Sequence, residues 1–151
     1  MPIEINSAGV LGGGVMGSGI GQALASGGLK VTIRDISGEL VEKARSTIVD
    51  GRYGLKRGVE LGKTMQEQMD ATIANLSFTT SLDDLKDVDL VVEAVPEDME
   101  LKKKVWAEVD GIVQPRAVLA TNTSGLVIGE LNKAVSEAYQ RLEDWVVSPA
   151  D

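Results

Sequence analysis

Short apolar runs alternate with longer amphipathic ones along most of this chain. Ile5–Leu11 predicts a short buried strand. Beyond it, Ile20, Ala23, Leu24 and Gly27 fall at i, i+3, i+4 and i+7, the spacing of one helix face. After Gly27-Gly28, the run Lys30–Arg34 sets Val31 and Ile33 between polar neighbours and predicts a second strand. Ser37 or Gly38 then opens a long helical stretch, Glu39–Arg57, with Leu40, Val41, Ala44, Ile48 and Leu55 inward. Gly58 and Gly62 mark a turn, and Thr64–Asn75 reads as another helix, Thr64 and Glu67 standing in capping-box spacing.

Leu76–Thr79 predicts a third strand, followed by a brief helix at Leu82–Lys86 capped by Ser81. The continuous apolar run Leu90–Val95 suits a parallel strand covered on both faces, and Pro96 ends it. A helix follows over about Asp98–Val113, with Leu101, Val105, Val109 and Ile112 on one stripe and Trp106 beside it. Val118–Thr121 predicts a fifth strand and Val127–Val135 a last helix. The α/β alternation implies one domain, residues 1–151, built on a doubly wound, mostly parallel sheet with a helical insertion between strands 2 and 3.

Ligands of such sheets bind outside the carboxyl ends of the strands, where the strand order switches. The stretch that matters most lies at the first of those ends. Gly12, Gly14 and Gly17 form G-x-G-x-x-G between the first strand and the first helix. Gly12 permits the tight turn, Gly14 leaves room for a pyrophosphate, and Gly17 lets the helix lie close on the sheet. The start of that helix offers unpaired N–H groups to an anion. Asp35 ends the second strand, close to the offset of about 20 residues expected for an acid that grips an adenosine ribose. The plainer role for Asp35 is to cap the next helix. The segments Glu93–Glu97 and Asn122–Ser124 should line the same crevice.

Composition narrows the partners. The formal charge of −8 argues against a nucleic-acid or anionic-membrane surface, and no apolar run is long enough for a membrane span. With no cysteine there is no disulfide and no thiolate metal site, which fits a reducing cytoplasm; no metal is expected. Histidine is absent throughout, so no imidazole base is available within the chain. Arg52, Lys56, Arg57 and Lys63 form a basic cluster, read either as a solvated helix face or as a docking edge for substrate phosphates.

Four motifs carry a family resemblance: Leu11–Ile20 (LGGGVMGSGI), Val31–Ile36 (VTIRDI), Asp89–Asp98 (DLVVEAVPED) and Asn122–Leu126 (NTSGL). The chain resembles the N-terminal, NAD-binding Rossmann domain of L-3-hydroxyacyl-CoA dehydrogenases, including that part of the multifunctional fatty-acid oxidation enzymes. The resemblance implies that Gly12, Gly14, Val15, Met16 and Gly17 hold the pyrophosphate of NAD and Asp35 the adenine-side ribose. It implies further that Glu93, Ala94, Val95, Glu97, Lys102 and Asn122 lie along the nicotinamide half. Lys102 would aid anion or hydroxyl contacts, and Ser124 would be the active-site serine, touching both nicotinamide and the 3-oxygen of an acyl-CoA substrate. Arg57 lies where the family receives the CoA moiety. Glu93 reads equally well as a group that caps a neighbouring N–H, and Asn122-Thr123-Ser124 as a strand-to-helix cap.

The family continues with a histidine that removes the hydroxyl proton, then a helical domain that closes the site and forms the dimer. Residues 136–151 depart from that pattern, with Trp145 near the position of the histidine. The expectation is therefore an incomplete enzyme, inactive in isolation, that forms a homodimer or meets a separate helical partner. The alternatives are a stand-alone NAD-binding sensor, a degenerate product, or a relative acting on another hydroxy acid such as a sugar acid or carnitine.

Overall fold

The computed structural model describes residues 3–126 and 128–132. The chain runs β1 (Ser7–Leu11), α1 (Val15–Ser26), β2 (Lys30–Arg34), α2 (Gly38–Asp50), α3 (Leu55–Glu60), α4 (Gln66–Ala74) and β3 (Leu76–Thr79). After a 3-10 turn at Leu82–Leu85 come β4 (Leu90–Glu93), α5 (Met99–Asp110), β5 (Val118–Thr121) and α6 (Ile128–Asn132). The strands form one sheet in the order β3-β2-β1-β4-β5, and every pairing is parallel. The order reverses beside β1, so the predicted crevice opens above β1 and β4.

Register brings the functional segments to one level. Leu11 lies opposite Arg34 on one side and Glu93 on the other, Arg34 opposite Thr79, and Glu93 opposite Thr121. The loops starting at Gly12, Asp35, Ala94 and Asn122 therefore leave the sheet side by side. Alternation along β1 sends Ala8 and Val10 into a core with Val31, Ile33, Ala44 and Ile48, while Leu11 joins Val91, Val105, Trp106 and Val109 on the opposite face.

Several helices depart from the hydrophobic pattern. The long helix expected over Glu39–Arg57 is broken, because Gly51 leaves helical geometry (φ −65°, ψ 167°) and Gly54 donates back to its carbonyl. Gly58, expected in a turn, lies inside α3. The capping box expected at Thr64 and Glu67 falls one residue later, with the Gln68 side chain accepting from the Met65 N–H at 2.9 Å. Ser37 does cap α2, accepting from Leu40, whereas the Ser81 side chain makes no cap bond.

On α1 the buried positions are Gly17, Ser18, Gly21 and Ala25, and Ala23 is exposed. This stripe of small residues draws the helix onto the sheet: a Cβ at Gly21 would stand 2.6 Å from Ile33. On α5 the inner row is Lys102, Val105, Trp106 and Val109, while Leu101 points outward. A charged residue holds the place that apolar periodicity assigned to its neighbour. Residues 133–135 of the last predicted helix, and the segment 136–151, lie outside the described residues.

Candidate functional site

The turn out of β1 needs glycine for two reasons. Gly12 has φ +95°, in the left-handed region, and a Cβ there would press 2.7 Å from the Ala94 carbonyl oxygen. At Gly17 a Cβ would collide with the Gly12 carbonyl, so α1 sits directly on the turn. Gly14 is different. A Cβ at Gly14 would meet nothing within 4 Å. Gly14 caps α1 without a side-chain hydrogen bond, and the first turn of α1 contains no acid. The opening N–H groups of a twelve-residue helix thus face a bare, uncapped space, which is what a diphosphate requires. Val15 and Met16 flank it, both exposed.

The loop is fixed from behind by groups that motif reading missed. Gly13 donates its N–H to Asp35 Oδ2 at 2.8 Å, and its carbonyl accepts the Ser18 hydroxyl at 2.9 Å. Gly12 donates to the Arg34 carbonyl at 2.8 Å. Asp35 does not cap α2, a task that falls to Ser37; it accepts from Gly13 and Ile36, supports the loop and keeps lone pairs that could meet a ribose diol. The signal for Gly13 was its place as the middle glycine of the G-G-G run; Ser18 left none, being one small polar residue on a helix.

At the other end of the crevice, Glu93 and Lys102 are fully buried as an ion pair, 2.6 Å apart. Glu93 also accepts the Val95 N–H at 2.9 Å and the Thr121 hydroxyl at 2.7 Å. Lys102 reaches the Val95 carbonyl and Glu97 Oε1, each at 3.2 Å. Its three protons thus have three protein acceptors. Lys102 holds the loop after β4 together. Glu93, likewise, does cap a neighbouring N–H. Glu97 is half-exposed and accepts the Thr123 hydroxyl at 2.7 Å. That hydrogen bond foremost, then Lys102 and the Ser124 backbone, outweigh desolvation and hold the Glu97 carboxyl below its ordinary range. Asn122 donates to the Glu93 carbonyl, and Asn122 and Ser124 are both exposed at the crevice rim.

The basic cluster lies apart, around the α2–α3 turn. Lys56 pairs with Asp50 at 2.6 Å, Arg57 with Glu60 at 3.0 Å, and Arg52 lies over the Tyr53 ring. Much of its charge is answered locally on an exposed surface. Among the described residues no group of three or more His, Cys, Asp or Glu is placed to hold a metal ion, and no helix is long and apolar enough to cross a membrane.

The parallel sheet, the bare turn and the acid at the end of β2 define a dinucleotide-binding domain of the Rossmann type. A family model for the 3-hydroxyacyl-CoA dehydrogenase NAD-binding domain matches residues 7–150, and this chain belongs to that family. It is 40% identical over 143 residues to a 3-hydroxybutyryl-CoA dehydrogenase of Mycobacterium tuberculosis, covering 94% of this chain and 49% of that protein. It is 40% identical over 130 residues to the fatty acid oxidation complex subunit alpha of Idiomarina loihiensis, covering 86% of this chain and 18% of the relative. The crystal structure of M. tuberculosis FadB2 superposes with a TM-score of 0.84 at 40% identity, over 89% of this chain and 46% of that one. The chain thus spans about half the length of the first relative and less of the second. Its cofactor is NAD, and the bare loop, uncapped helix start and Asp35 fit that molecule.

Proposed function

We propose that this chain is the cofactor half of an NAD-dependent 3-hydroxyacyl-CoA dehydrogenase, working with a helical partner that supplies the general base. The observation that carries the reading is Gly14: bare, at the uncapped start of α1, beside a loop held by Asp35. The backbone of Gly12, Gly14, Val15, Met16 and Gly17 binds the diphosphate, and Asp35 takes the ribose hydroxyls. Ala94, Val95, Glu97 and Asn122 flank the nicotinamide, which supplies a hydride acceptor when bound. Ser124 orients the 3-oxygen of an acyl-CoA, and Arg57 receives the CoA moiety. Deprotonation of the hydroxyl falls to the partner, since the chain has no histidine; positioned acid–base help is typically worth about 10²–10⁴ in rate. The protein works in the cytoplasm as a dimer or with its helical partner.

Titration with NADH, read by energy transfer from Trp106 and Trp145, tests the binding half of this reading. Gly14→Val should abolish binding while leaving the melting temperature near that of the parent, because the new side chain enters open space. Binding that survives the substitution would remove the loop from the site. Asp35 should also make NAD preferred over its 2′-phosphorylated analogue; equal affinities by calorimetry would contradict that role. The isolated chain should bind without oxidising 3-hydroxyacyl-CoA, and turnover would require a base other than histidine.

A further inference from the structure

Glu97 is a half-exposed rim group of this crevice bonded both to the buried Lys102 and to the loop carrying Ser124. Thr121 makes a second, part-buried link, its hydroxyl donating to Glu93 and accepting the Thr123 N–H at 3.2 Å. Two carboxylates share one ammonium there, and they are not equivalent. Glu93 is immobilised by the Val95 N–H and the Thr121 hydroxyl. Glu97 comes from the segment after Pro96 and meets Lys102 at 3.2 Å from the exposed side. Thr123 then docks on the same oxygen that faces Lys102, Glu97 Oε1.

The Thr123 hydroxyl is used in both directions. It donates to Glu97 and accepts the Leu126 N–H at 3.3 Å, which closes a turn around Ser124 and Gly125. A Cβ at Gly125 would lie 3.8 Å from Glu97 Oε2, so the turn rests against the carboxylate. A continuous line therefore runs from the end of β4 through α5 to the β5–α6 loop: Glu93, Lys102, Glu97, Thr123, Ser124. A bond to an ionised acceptor is stronger than a neutral one, and the anchor beneath it is dry.

We propose that Thr123, with Glu93 behind it, is a positioning residue: the relay through Lys102 and Glu97 fixes the Ser124 turn in register with the loop after β4 before cofactor arrives. The cofactor part of this inference rests on the function proposed above. The relay itself is a property of the free chain.

Two measurements on the full chain separate those parts. The first is amide hydrogen exchange without cofactor. Thr123→Val, which keeps the side-chain shape, should speed exchange at Ser124 and Leu126 by about tenfold, while Thr123→Ser should restore protection. The carboxyl carbon of Glu97, followed by NMR, should titrate higher in Thr123→Val than in the parent. The second is the NADH titration: Thr123→Val should weaken binding by about tenfold in a chain that remains folded at the temperature of the titration, with rescue by Thr123→Ser. Glu97→Gln should speed the same amides and gives the test a second variant should the valine protein fold poorly. Unchanged exchange in Thr123→Val and Glu97→Gln would overturn the relay. Faster exchange with unaltered NADH affinity would overturn the positioning role. A parent chain that does not bind NADH would sink the functional reading alone, and the cofactor-free exchange would still decide the relay.

Discussion

β4 carries a buried carboxylate near each end, and the two are employed differently. At the amino end Asp89 accepts N–H groups from Asn6 and Ser7 at 2.9 and 3.1 Å, the Ser7 hydroxyl at 3.1 Å and the Gln114 amide at 3.3 Å, and it pairs with Arg116. Its partners Asn6 and Ser7 belong to the start of β1, and Gln114 and Arg116 to the turn that leads into β5. At the carboxyl end Glu93 is bonded as completely, but its partner Lys102 passes the interaction on to half-exposed Glu97 and the rim of the crevice. The same chemistry closes the sheet at one end and arranges a site at the other. A carboxylate's burial therefore says little about its purpose; what its counter-ion touches next says more.

Four measurements sharpen that contrast. The largest effect is expected from Glu93→Ala, which leaves the buried Lys102 with only the Val95 carbonyl and half-exposed Glu97, each at 3.2 Å, and should cost about 3–5 kcal/mol in urea unfolding, together with NADH affinity. Asp89→Asn should cost about 1–3 kcal/mol by the same measurement but leave NADH affinity untouched. If the two variants lost affinity equally, the two ends of β4 would not be functionally distinct.

Acid supplies a third comparison. Asp89 is held below its ordinary value chiefly by the Asn6 N–H against the cost of burial, and Glu97 chiefly by the Thr123 hydroxyl. A depressed carboxylate contributes stability above its unfolded pKa and loses it as pH falls through the lower folded value. The urea midpoint should therefore hold through neutral pH and fall only on acidification through and below the ordinary carboxylate range. In Thr123→Val the Glu97 share should disappear and the Asp89 share remain. The smallest effect belongs to Arg116→Ala, whose side chain is 61% exposed: under about 1 kcal/mol, reduced further by salt.

Much of the frame was legible beforehand. The spans Lys30–Arg34, Leu76–Thr79 and Val118–Thr121 are the same in sequence and structure, because apolar residues in short runs are bounded there by glycine, proline or polar breaks. Helix faces were harder. Hydropathy cannot flag a stripe made of Gly17, Gly21 and Ala25, nor a lysine that lies inside because two acids meet it. Continuity of the apolar pattern also hid the break at Gly51 and Gly54. For the site, the glycine pattern and Asp35 stood out as residue types at fixed offsets. The bonds that hold them did not, since Gly13–Asp35 spans 22 positions and Thr123–Glu97 spans 26. Such pairs exist only once strand order has brought their loops together.

The bond between Gly13 and Asp35 has a practical corollary for anyone wishing to change which coenzyme this domain accepts. If Asp35 takes the ribose as proposed, swapping the acid for a neutral or basic residue would admit a 2′-phosphate, yet it would also strip the glycine turn of its prop. On the ribose role proposed for Asp35, selectivity and scaffolding share a single carboxylate. A successful redesign must therefore install a new acceptor for that amide in the same step, or trade one preference for a slack binding loop.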